Sequence, residues 1–207
     1  MKSSVGADIE GKSNEYQDRY LAHQVHPGGK RDELIAIIKE RHSNRRFDDK
    51  GVDDQTLSII LDTCRHAPSS CDRFGVRIKI EKDRDRKTLL NGLLVGATGW
   101  LYRAPVVLML WADGAAYQGG DNGDEVEYNA RLDAGVMAQT IMLSATSLGL
   151  HTAFVNPQVR KENREFFEER FKPQLDEPIF CGAVAIGYPH PDPIDKTRRL
   201  IDTVEIL

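Results

Sequence analysis

The chain has 207 residues, 40% apolar and 29% charged, which suits a soluble globular protein of one domain with a substantial buried core. A formal net charge of −4 with no run of Lys or Arg excludes the clustered positive face that nucleic-acid binding requires. The longest apolar stretch, Val106 to Trp111, is far too short to span a bilayer, so no membrane partner is expected.

Met1 to Gly29 is polar, includes Asp8, Glu10, Glu15 and Asp18, and does not read as a signal peptide. Residues 1–30 are expected to be a polar arm, mobile or clasping a partner, ahead of a domain spanning 31–207. Leu34, Ile37 and Ile38 recur at helical spacing behind Asp32 and Glu33, predicting a first helix. A second runs from about Asp53, with Leu57, Ile60, Leu61 and Cys64 on one face, and ends near His66 because of Pro68. Val76 to Ile80 alternates like a half-buried strand. Arg84 to Gly96 is predicted helical, Val106 to Trp111 a central strand, and Gly119 to Asp124 a loop.

The longest helix is expected from about Glu125 to Leu148. Ala134, Met137, Ala138, Ile141, Met142 and Ala145 leave it little polar face, and Gly149 supplies its stop. His151 to Val155 reads as a short strand, and Asn156-Pro157 as the N-cap and first residue of another helix carrying Phe166 and Phe167. Ile179 to Gly187 is a buried strand. Helices and strands mix without a regular βαβ rhythm, so the fold class is α+β. Three cysteines, Cys64, Cys71 and Cys181, form neither an even set nor a C-x-x-C pair, which points to a reducing cytoplasm.

G-x-G-x-x-G, the P-loop pattern and H-E-x-x-H are all absent, and no histidines pair at metal-ligand spacing, so no metal is expected. Cys71 is a conceivable nucleophile, though a lone loop cysteine is more often inert. Four short clusters remain. Arg41-His42-Ser43-Asn44-Arg45-Arg46-Phe47 reads either as basic residues favoured at a helix C-terminus or as an anion pocket of guanidinium forks and a hydroxyl. Ala67-Pro68-Ser69-Ser70-Cys71-Asp72 reads as ordinary turn residues or a ligand loop. Leu148 to Pro157, and Gly187-Tyr188-Pro189 with Lys196-Thr197-Arg198-Arg199, complete the set.

In this order and spacing, the four clusters resemble the nitroreductase family of FMN enzymes over about Glu33 to Arg199. The resemblance implies a central, mostly antiparallel sheet flanked by helices, with a long core helix and an intertwined homodimer. It implies FMN as cofactor, NADH or NADPH as electron donor, and a small acceptor such as a nitroaromatic or quinone. Arg41, His42, Ser43 and Arg45 match the family's first flavin-binding segment, with Arg41 and Ser43 at the phosphate and ribityl end and Arg45 near the pyrimidine edge. Ser69, Ser70 and Asp72 match a segment contributed by the other subunit. Phe154, Val155, Asn156 and Pro157 match the backbone stretch facing the flavin, and Lys196 and Arg198 the late basic pair on the phosphate. No catalytic acid or base is implied, because the flavin carries the chemistry.

Two departures from the family pattern stand out. Asp72 occupies a position where Asn is usual and is followed by Arg73-Phe74-Gly75-Val76, and Pro157 brings no N–H. They keep open a flavin-dependent dehalogenase or dehydrogenase on the same scaffold, and a flavin-binding protein without turnover.

Overall fold

The computed structural model describes residues 30–118 and 125–191. The arm before residue 30, the 119–124 loop and the tail with Lys196 and Arg198 lie outside the described residues. Helix α1, Lys30–Glu40, carries Asp32 and Glu33 in its first turn and Lys39 in its last, the charge order a helix dipole favours. It belongs to a unit ending at Glu40, and a second compact unit begins at Arg41.

Within that second unit, helix α2 spans Asp54–Cys64. Asp53 caps it, its carboxylate accepting the Thr56 N–H at 2.8 Å, and these bonds hold the Asp53 pKa below its ordinary value. Leu57, Ile60 and Cys64 form its buried stripe, as their spacing predicts. Strand β1 is Val76–Glu81, helix α3 Arg84–Leu93, strand β2 Val106–Asp113 and helix α4 Glu125–Ser147. Strand β3, His151–Val155, helix α5, Arg164–Phe171, and strand β4, Pro178–Gly187, complete the order. The four strands form one antiparallel sheet in the order β1-β2-β4-β3.

Central strand β2 is buried on both faces, which is why its sequence is continuously apolar rather than alternating. Val106, Leu108, Leu110 and Ala112 meet α2 and the inner stripe of α4, made of Ala130, Ala134, Ala138, Ile141 and Ala145. Val107, Met109 and Trp111 face the other layer, where Trp111 lies 5.8 Å from Phe167 and 5.1 Å from Phe180, ring centre to ring centre. Small alanines let α4 lie close to the sheet. Its other side mixes Glu127, Arg131 and Gln139 with Tyr128 and Leu132, which are 68% and 51% exposed, so only one face of this helix is core. Gly149, at φ +74°, ends α4 with the Leu150 N–H on the Ala145 carbonyl at 2.9 Å.

Two expectations are corrected. The helix predicted over Arg84 to Gly96 stops at Leu93, and no helix starts at Asn156-Pro157. One pairing causes both changes. Leu94 turns extended and bridges Val159, and the Val95 N–H donates to the Gln158 carbonyl at 3.0 Å. Asn156 does cap, but it caps a tight turn: its side-chain oxygen accepts the Gln158 N–H at 3.0 Å. Helix α5 begins only at Arg164, after a short turn over Lys161–Asn163.

Candidate functional site

The Arg41–Phe47 segment is extended and stitched to the sheet edge at several points. Ser43 bridges Thr152 at the start of β3, and the Asn44 N–H donates to the Thr152 carbonyl at 2.8 Å. The Asn44 side chain closes a local loop, accepting the Arg46 N–H at 3.0 Å and donating to the Arg46 carbonyl at 2.8 Å. Its amide also lies 3.0 Å from His151 Nδ1, and the His42 ring packs edge-on against His151 with centroids 4.7 Å apart. Further on, Phe47 bridges Pro189 and the Asp48 N–H donates to the Tyr188 carbonyl at 2.9 Å. A Cβ on Gly187 would stand 2.5 Å from Pro105 Cδ and 2.9 Å from the Phe47 ring, so the glycine of Gly187-Tyr188-Pro189 is what lets the segment lie down.

Three sequence clusters therefore share one edge, the first of them more than 100 residues before the other two in the chain. His42, Ser43 and Arg45 are exposed along it and Arg41 is half-buried. The Arg45 guanidinium sits 5.5 Å from the centre of the Trp100 ring, a platform the motifs did not flag. Trp100 is fixed in turn, its indole N–H donating to the Gly96 carbonyl at 3.0 Å and its backbone N–H to Asn91 Oδ1 at 3.1 Å. Along β3, Phe154 is 36% exposed, Val155 turns its side chain into the core and offers only backbone, and Asn156 is exposed. The Thr152 hydroxyl, under the crossing point, is buried and has no hydrogen-bond partner among the described residues.

Ser69, Ser70 and Asp72 lie elsewhere. They precede β1, at the end of the sheet where Val76 pairs with Ala112, whereas Ser43 meets β3 at the end where His151 pairs with Gly187. The two sets thus occupy diagonally opposite corners of the sheet, on the order of 20–25 Å apart by strand rise and spacing. The turn itself is unusual, since Cys71, Asp72 and Phe74 take φ values of 50°, 59° and 47°. Ser69 Oγ accepts the Phe74 N–H at 2.9 Å, so Ser69 rather than Asp72 caps the loop, and the exposed Asp72 carboxylate bonds no described residue. Behind the turn is a largely apolar cavity of about 590 Å³ between Leu61, Pro68, Phe74, Ile78 and Met137, with Asp133 among its few polar groups.

Burial pushes the thiols of Cys64 and Cys181 up to about 11, while Cys71 is exposed. Among the described residues no His, Cys, Asp and Glu group is placed to hold a metal, and no helix is long and apolar enough to cross a membrane.

Comparison with protein families matches residues 38–96 and 79–188 to the nitroreductase family, which together take in most of the chain. The chain belongs to the nitroreductase family. Among individual proteins it is 29% identical over 177 residues to the FMN reductase [NAD(P)H] of Bacillus subtilis, covering 80% of this chain and 70% of that one. The structure of B. megaterium NfrA2 aligns with a TM-score of 0.71 at 26% identity, over 82% of this chain and 71% of the other. That of the hypothetical oxidoreductase YcnD from Bacillus subtilis aligns at 0.70 and 28% identity, over 82% and 70%. The four-stranded antiparallel sheet and the long helix α4 are this nitroreductase's version of the shared fold. Residues 38–188 include Arg41 to Arg45, Ser69 to Asp72 and Phe154 to Asn156, so both corners of the sheet fall inside the family match.

Proposed function

We propose that this nitroreductase is an FMN-dependent oxidoreductase that takes electrons from NADH or NADPH and passes them to a small acceptor such as a nitroaromatic or quinone. The observation that carries this reading is the convergence of Arg41, His42, Ser43 and Arg45 with Phe154 to Asn156 on one sheet edge, inside the family match. The name of the Bacillus subtilis relative, FMN reductase [NAD(P)H], points the same way.

The donor set fits FMN. A phosphate dianion calls for cations and hydroxyl or N–H donors, and Arg41 and Ser43 bring a guanidinium and a hydroxyl on a segment, residues 41–47, that contains no acid. Arg41 and Ser43 would hold the phosphate and ribityl end, and Lys196 and Arg198 of the tail would complete the phosphate site. Arg45, anchored on Trp100, would hold positive charge at the pyrimidine edge, where two-electron reduction adds negative charge. When bound, FMN supplies the hydride transfer itself, and this chain supplies position, charge and exclusion of water.

The same reading requires two subunits. By the resemblance, Arg45 lies near the pyrimidine edge and Asp72 on the flavin-binding segment of the other subunit; they belong to opposite corners of one sheet, so one ring can meet both only if a second copy brings the other corner. The exposed Tyr128 and Leu132 of α4, with Gly135 three residues on and open space above it, give that copy two apolar contacts to pack on. Ser69, Ser70 and Asp72 of one chain would then complete the site on the other.

The direct test is the absorbance spectrum of the purified protein, before and after anaerobic NADH or NADPH. A yellow protein bleached by either nucleotide is expected, sedimenting as a dimer. Protein that stays colourless with added FMN sinks the flavin reading, and a yellow monomer sinks the shared site. Flavin that reduced nicotinamide leaves unbleached selects binding without turnover. Acceptor panels in single-turnover mode separate nitro or quinone reduction from dehalogenation or dehydrogenation.

Asp72 gives a finer prediction. Its carboxylate would repel the charge gained by the ring, by about 3 kcal/mol at about 6 Å with an effective dielectric near 20. Neutralisation by Arg45 or Arg73 reduces this to about 1–2 kcal/mol, and for a two-electron couple about 1.4 kcal/mol corresponds to about 30 mV. Asp72→Asn, which also suits the left-handed backbone, is expected to raise the flavin midpoint potential by about 20–40 mV. Spectroelectrochemical titration checks this, and an unchanged or lowered potential places Asp72 off the ring.

A further inference from the structure

Asp133 is an acid on the otherwise apolar inner stripe of α4, and it is only 5% exposed. Its carboxylate accepts the Ser70 N–H on both oxygens, at 2.9 and 3.0 Å, the Ser70 Oγ–H at 2.7 Å and the Tyr117 O–H at 2.9 Å. It forms no ion pair with any described residue, so hydrogen bonds alone offset the burial of its charge. All three partner groups are donors, which matches an acceptor-only carboxylate and not an amide. Burial and the neighbouring carboxylate raise the Tyr117 pKa, which keeps its hydroxyl a donor.

These contacts surround the turn that carries Asp72. Ser70 is held at the entry. At the exit, the Tyr117 ring lies so close to Gly75 that a Cβ there would stand 2.3 Å from Tyr117 Cε2. Between them Cys71, Asp72 and Phe74 adopt left-handed backbone, which non-glycine residues keep only where the surroundings hold them. Asp133 and Tyr117, one from α4 and the other from the turn after β2, grip both ends of that stretch.

We propose that Asp133, with Tyr117, is a positioning residue for the flavin site: it locks the Ser69–Phe74 turn so that Ser69 and Asp72 face the flavin held by the other subunit. The inference rests on the reading that this turn reaches the partner's flavin. It makes the long helix both the floor of the core and the support of a half-site at the sheet's far corner.

The test is a double-mutant comparison in the full-length flavin-loaded protein, read by midpoint potential and by the FMN dissociation constant. Asp133→Asn places an amide N–H among donors and is expected to weaken FMN binding roughly tenfold. In that background the potential shift caused by Asp72→Asn should shrink to less than half its size in the wild-type background, because Asp72 is no longer held at the ring. A purely structural Asp133 would lower stability and leave that shift intact, and an intact shift overturns the proposal while the flavin-facing turn stands. No shift from Asp72→Asn in the wild-type background overturns the flavin-facing turn, and the proposal with it. Where Asp133→Asn does not fold, Ser70→Ala removes the 2.7 Å hydroxyl contact and is read in the same way, with the same two outcomes.

Discussion

Arg41→Ala is expected to weaken FMN binding about 10- to 100-fold, the consequence of losing one charge-assisted contact worth about 1.5–3 kcal/mol. Arg41 stands two residues before Ser43, on the segment fixed across the start of β3, so its backbone is placed independently of any ligand. A guanidinium offers a phosphate two parallel N–H bonds, which an ammonium cannot reproduce. Arg41→Lys should therefore recover only part of the affinity. The same loss is expected of Arg198→Ala if the tail closes on the same phosphate. Fluorescence titration of apoprotein with FMN measures both, and an unchanged dissociation constant in either variant removes that residue from the site.

Gly182→Ala is expected to destabilise the fold by about 3 kcal/mol, combining left-handed backbone strain with a clash against the main chain. Gly182 has φ +123°, and a Cβ there would lie 2.7 Å from the Val155 carbonyl oxygen and 2.8 Å from Phe154 Cζ. It sits where the β2–β4 register slips beyond Leu110, a bulge that brings the Phe154 ring down over the strand. A melting temperature lower by about 6–12 °C is expected for a chain of this size. FMN affinity should fall with it, because Phe154 is lifted from its seat on the candidate site. A melting point within 2 °C of wild type, roughly the noise of such a scan, would contradict the tight approach at Gly182.

Most elements were legible because their signals are local. The stripe Leu57, Ile60, Cys64, the alternation of Val76 to Ile80 and the apolar run at Val106 each depend on near neighbours in the chain. The two misplaced helix ends share a non-local cause. Leu94 and Val159 are 65 residues apart, and nothing around either announces that they pair. Of the candidate site, the Arg41 cluster and Phe154 to Asn156 stand out in the sequence as motifs, while the Trp100 ring under Arg45 does not, because a tryptophan near a Gly-rich turn reads as ordinary core. Asp133 did leave a trace: it lies three residues after Ala130 and four before Met137, an acid on an apolar helical face. The diagonal separation of the two half-sites follows from strand order, which no local pattern encodes.

That separation has a genetic consequence. In the proposed symmetric dimer each composite site would draw Arg41 from one chain and the Ser69–Asp72 turn from the other. A chain defective only at Arg41 and a chain defective only in the turn each form homodimers in which every site is damaged. Paired with each other, they concentrate both lesions in one site and leave the second wholly wild type. Random reassortment of the two chains should therefore restore about a quarter of all sites. A chain carrying both lesions cannot rescue either single-lesion chain, because every site of every dimer they form keeps at least one lesion. Complementation between two inactive alleles, absent when either one is paired instead with a chain carrying both lesions, would be the signature of this arrangement in cells as well as in the cuvette.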